Sequence, residues 1–108
     1  MPTTAVTTAE LAETSSGPLT LTASAEHIIN FDTDLTEVEV LVDSTTSAVT
    51  YVSVNRAAAT VGGKHCIPVH PGTGVTIPVP TSGNTQVRLI TAGTGTAWVN
   101  AAWDLRNG

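Results

Sequence analysis

The sequence predicts an all-β protein. It reads as an antiparallel β-sandwich, or a small jelly-roll-like barrel, of seven to eight short strands with an extended N-terminal arm. Three observations predict it. From Pro18 onward apolar residues alternate with polar ones at a period of two, the pattern of a half-buried strand. Clusters of Gly, Pro, Asn, Asp and Ser interrupt that pattern at intervals of about ten residues, the spacing of a sandwich or barrel. Composition agrees, because 20 Thr and 13 Val among 108 residues supply the β-branched side chains that pleated surfaces favour.

Residues 1–17 stand apart as a flexible arm, leaving 18–108 as one β domain. The arm has only Val6 and Leu11 as sizeable apolar groups beyond Met1, too few to offset its ordering entropy. The stretch from Thr8 to Glu13 suits a single helical turn capped by Thr8, marginal by itself. The first strand places Leu19, Leu21 and Ala23 on one face. Ile28, Ile29 and Phe31 follow, and Asp32-Thr33-Asp34 reads as a turn. Glu37–Val42 is a clear strand, with Val38, Val40 and Val42 inward and Glu37 and Glu39 outward. After a turn at residues 43–47, Ala48–Asn55 carries apolar residues on both faces: Val49 and Tyr51 on one, Val52 and Val54 on the other. Such a strand belongs between covering layers.

Residues 56–64 read as a loop and His65–Val69 as a short strand. His70-Pro71-Gly72-Thr73-Gly74 makes a tight turn. Val75, Ile77 and Val79 then alternate with Thr76, Pro78 and Pro80. Proline cannot donate to a ladder, so this strand lies at an edge or ends at Pro78. Gln86–Ile90 and Ala97–Trp103 supply the last two strands. The expected core is Leu21, Ile28, Phe31, Val38, Val40, Val52, Val54, Ile67, Val75, Ile77, Val87, Leu89 and Val99.

Composition also excludes functions. No apolar run approaches the roughly 20 residues that span a bilayer, so no membrane partner is expected. Nine acidic residues against four basic ones (Arg56, Lys64, Arg88, Arg106) give a net charge of −5. That balance argues against binding nucleic acid through its phosphates. A lone Cys66 rules out a disulfide scaffold and suits a reducing compartment. The N-terminus lacks the basic start and apolar run of a signal peptide, so folding in a cytoplasm without secretion by that route is expected.

Candidate chemistry is thin. His65, Cys66 and His70 are the best metal-ligating set, yet neighbouring residues on a strand point to opposite faces and the spacing lacks a paired zinc pattern. Asp32 and Asp34 are too few for a calcium loop. Glu37 and Glu39 share a face at a separation suited to paired carboxylates, but nothing predicts a cleft around them. No serine sits in a nucleophile elbow, and neither glycine pair opens a helix to cradle phosphate. No catalytic residue, metal or cofactor is expected, and the chain reads as a non-enzyme. Trp98 and Trp103 differ by an odd number and so face opposite sides of the last strand. Val6, Leu11, Tyr51, Trp98 and Trp103 are the candidate interface residues.

One cadence runs from Tyr51 to Gly95. It comprises Tyr51-Val52-Ser53-Val54-Asn55, then Gly63 and Cys66-Ile67-Pro68-Val69. Pro71-Gly72-Thr73-Gly74-Val75-Thr76-Ile77-Pro78-Val79-Pro80 follows, and Thr85-Gln86-Val87-Arg88-Leu89-Ile90-Thr91-Ala92-Gly93-Thr94-Gly95 completes it. These 45 residues of 108 resemble small β-domain virion proteins of tailed bacteriophages. The resemblance implies a structural protein assembled in the host cytoplasm and carried in the virion. Capsid decoration (cement) is the first expectation, with the major capsid protein or another virion protein as partner and the chain as homo-oligomer. A neck or tail component is the second. Shortage of charge agrees, since Lys and Glu are depleted in interfaces. The alternative from another class is a carbohydrate-binding or adhesin-type β-sandwich module, in which Trp98 or Trp103 and Tyr51 form a stacking platform.

Overall fold

Alternation along the chain becomes two sheets packed face to face. A computed structural model describes residues 8–12, 17–55, 59–79 and 84–102. Among these residues the strands are β1 (Thr8–Ala12), β2 (Leu19–Leu21), β3 (His27–Asp34), β4 (Glu37–Val42), β5 (Thr50–Val54), β6 (Ile67–Val69), β7 (Gly74–Pro78), β8 (Asn84–Thr91) and β9 (Gly95–Ala102). They form a five-stranded sheet in the order β1-β3-β8-β5-β6 and a four-stranded sheet in the order β2-β9-β4-β7. Every pairing is antiparallel except β1 with β3, which is parallel. The fold is an all-β sandwich.

Period-two alternation decides which residues enter the core. The five-stranded sheet sends in Ile29 and Phe31 from β3, Val87 and Leu89 from β8, Val52 and Val54 from β5, and Val69 from β6. The four-stranded sheet answers with Leu19, Leu21, Val38, Val40, Val42, Ile77, Ala97 and Val99. One expected core residue, Ile67, is placed elsewhere. Ile67 is 40% exposed, because β6 is a three-residue edge strand with a free side. Ile28 is buried but lies outside the main cluster, whose β3 members are Ile29 and Phe31. Side chains separated by three positions on a strand cannot share a face, so Phe31 inward puts Ile28 outward.

The expected turn at Asp32-Thr33-Asp34 is corrected too. β3 continues through Asp34, with a register shift against β8 between Phe31 and Asp34. That irregularity lets the strand bend instead of stopping. β7 does end at Pro78 and does lie at a sheet edge. Thr8–Ala12 forms a strand where the sequence suggested a helical turn. Five residues cannot hold an isolated helix, whereas β3 offers them a ready ladder.

Among the described residues, one buried side-chain polar atom lacks a hydrogen-bond partner. Thr50 is fully buried on β5, and its hydroxyl makes no hydrogen bond. Valine has the same shape without the hydroxyl. Thr50→Val is therefore expected to stabilise the domain by about 1 kcal/mol, removing the desolvation cost of an unpaired donor. The check is the denaturant midpoint, which should rise at unchanged m-value; a fall would contradict the account.

Candidate functional site

The outer face of the four-stranded sheet is built by register. β9 and β4 pair with Trp98 opposite Leu41 and Asn100 opposite Glu39. On the other side of β4, β7 sets Gly74 opposite Leu41 and Thr76 opposite Glu39. The inward neighbours Ala97, Val99, Val40 and Val42 are buried. Trp98, Leu41 and Gly74 therefore form one row facing outward, and Asn100, Glu39 and Thr76 form the next. Glycine matters in the first row. A Cβ on Gly74 would collide with the Leu41 Cδ2 atom. Its absence lets the leucine lie across β7.

Two turns raise a rim at one end of these rows. His70-Pro71-Gly72-Thr73 is a tight turn closed by the Thr73 amide donating to the His70 carbonyl at 3.1 Å. Gly72 has φ of +80°, which a proline-glycine pair supplies without strain. Gly72 then donates to the Val42 carbonyl at 2.8 Å, and Val42 donates to that of Thr73 at 3.0 Å. The second turn, residues 43–47, is laced to the start of β9. The Asp43 amide donates to the Thr96 carbonyl at 2.9 Å, and that of Ser47 to the Thr94 carbonyl at 2.9 Å. The Thr45 hydroxyl and amide both donate to the Asp43 carboxylate.

Those bonds hold the Asp43 pKa below the ordinary carboxylate range, the hydroxyl contributing most. A depressed folded-state value favours the native turn at pH above the unfolded pKa. That contribution fades as pH falls through the folded one. Asp43 thus stays ionised at neutral pH.

Between rows and rim lies an open groove of about 550 Å³. Leu41, Asp43, Ser44, Thr73, Trp98 and Asn100 are among its lining residues. Trp98 is half-buried, and Asn100 Nδ2 donates to Glu39 Oε1 at 3.2 Å. One aromatic face beside a few fixed polar groups is a common composition for a binding site.

The sequence-predicted interface residues are not brought together. Tyr51 stands on β5, alternating with buried Val52, so it faces outward from the opposite sheet. Tyr51 and Trp98 cannot share a platform. Val6 and Trp103 fall outside the described residues, and Leu11 is described only as a position in β1. The metal candidates are scattered likewise: Cys66 is buried with Ala59 and Ile90 against Tyr51, while His65 and His70 are exposed. Among the described residues no group of three or more His, Cys, Asp or Glu is placed to hold a metal ion.

Tyr51's side of the sandwich is instead closed by its own polar network. Glu26 accepts from the Ala59 amide at 2.6 Å and from Arg88 at 3.1 Å. Arg88 donates to Gln86, and Gln86 donates to Asn30. Glu26 pins the loop after β5, so Glu26→Ala is expected to free it. Hydrogen exchange at the Ala59 amide should speed by about tenfold or more, with core amides little changed; an unaltered rate would refute the staple.

Sequence reasoning passed over Asn100, Asp43, Leu41 and Thr73. Asn100 was findable, being two residues from Trp98 and so on its face. Asp43 and Thr73 come together only through the cross-strand register, which no local signal encodes.

No family model matches this chain, and no curated protein matches it by sequence. Among solved structures it is similar to a carbohydrate-binding module found by a sugar cane soil metagenome, solved with cellopentaose and gadolinium ion. The TM-score is 0.54 at 9% sequence identity, over 87% of this chain and 90% of that one. The likeness is one of fold, and it extends over most of both chains.

Proposed function

We propose that the protein is a non-catalytic carbohydrate-binding module whose ligand lies in the Trp98 groove. The observation that carries this reading is the half-buried Trp98 face set among Asn100, Asp43 and Thr73. A pyranose ring offers a flat C–H surface to an aromatic face and a rim of hydroxyls to amides and carboxylates. Asp43 and Glu39 accept such hydrogen bonds, and Asn100 both donates and accepts. The fold likeness supports a β-glucan as the first ligand to try. Calorimetric titration with cellohexaose tests the reading. Saturable binding, perturbing the Trp98 indole signal in NMR, is expected; no binding of any neutral hexasaccharide at millimolar concentration would overturn it.

A second reading, that the protein is a structural protein of a phage particle, is proposed on the resemblance of the residue 51–95 cadence alone. Its partners would be the major capsid protein or another virion protein and further copies of itself. Copy number in purified particles tests it: hundreds mean a shell protein, six or twelve a neck or tail component, and none removes the reading.

A further inference from the structure

The charges around the groove have one sign. Asp43 stands at its rim, Glu39 in its second row, and Glu37 one row further along β4. The described lysine and arginine lie elsewhere. Arg88 is on β8 of the opposite sheet, tied to Glu26, and Lys64 is in the loop that ends at Cys66. His70 stands exposed at the start of the rim turn, beside Pro71. Asn100 takes up one oxygen of Glu39 and leaves the carboxylate charge in place.

Resting on the carbohydrate reading above, we propose that this groove selects glycans by charge. It takes neutral or amine-bearing chains and excludes uronic-acid chains. A uronate carboxylate seated on Trp98 would approach Asp43 and Glu39 with no described lysine or arginine to meet it. A glucosamine ammonium in the same place would meet two acceptors. Exposed charge pairs are each worth a modest factor, so the selection is expected to be several-fold and sensitive to salt.

The test compares three hexasaccharides by calorimetry at pH 7.5 in 20 mM and 300 mM salt: cellohexaose, the glucosamine hexamer and the galacturonate hexamer. Galacturonate should bind about five- to tenfold more weakly than cellohexaose at low salt, and glucosamine at least as tightly. High salt should narrow both differences. The Asp43→Asn, Glu39→Gln double variant, which keeps oxygen acceptors, should narrow them as well. Galacturonate binding as tightly as cellohexaose at low salt overturns the charge inference and leaves the carbohydrate reading standing. Failure of all three to bind overturns that reading, and the inference with it.

Discussion

Trp98→Ala is expected to weaken binding of cellohexaose by about 30-fold or more while leaving the domain folded. Truncating a central aromatic anchor typically costs about 2 kcal/mol or more of binding energy. Trp98 is the one described aromatic in the groove, so no second ring takes over. Its indole is only half-buried on an outer face, whereas the residues beside it in β9, Ala97 and Val99, are fully buried. Folding therefore depends on those neighbours more than on the indole. Trp98→Phe retains an aromatic surface and should recover part of the affinity. Calorimetry and thermal melts of the two variants provide the check. Wild-type affinity in Trp98→Ala would remove the groove as the binding site.

Phe31→Ala is expected to lower stability by about 3–5 kcal/mol, the largest single loss from the core. Phe31 is the only phenylalanine and is fully buried. It is paired with Thr85 on β8, just before the register shift. Interiors pack as densely as crystals, so the surrounding strands can close only part of the void. Small domains hold about 5–15 kcal/mol in total, which makes the loss a large share. The melting temperature should fall by about 15 °C or more. A drop of only a few degrees would mean the two sheets collapse readily around the missing ring.

The contrast between these substitutions shows how far the sequence could be read. Glu37–Val42 announces its own faces, because glutamates and valines alternate and only one register keeps the carboxylates wet. Pro78 announces its own stop, since proline has no amide to donate. Ile28 is buried as expected, but on the face opposite the main cluster, where the parity applied from Phe31 sends it. Three apolar residues in four positions blur the alternation locally. Asp32 and Asp34 signalled a turn because Asp favours one, yet the ladder with β8 outweighed that preference and bent the strand instead. Cross-strand pairing supplies hydrogen bonds that an isolated turn does not.

The candidate site was half legible. Trp98 was marked by its chemistry and by its odd separation from Trp103. Tyr51 was equally marked and proved to serve the other sheet, because residues nearly fifty positions apart carry no sign of which layer they join.

By itself the sequence determined the class of this protein: all-β, with Thr and Val alternating along strands and turn residues between them. Those properties are local. Side-chain alternation, proline's missing amide and glycine's open backbone act within a few residues. Only the tertiary structure decided that β9 lies between β2 and β4, and that β4 brings Asp43 and its turn to the end of the tryptophan row. Strand order and register arise from burying two whole faces against each other. That energy belongs to residues far apart in the chain, and no short stretch of sequence carries it.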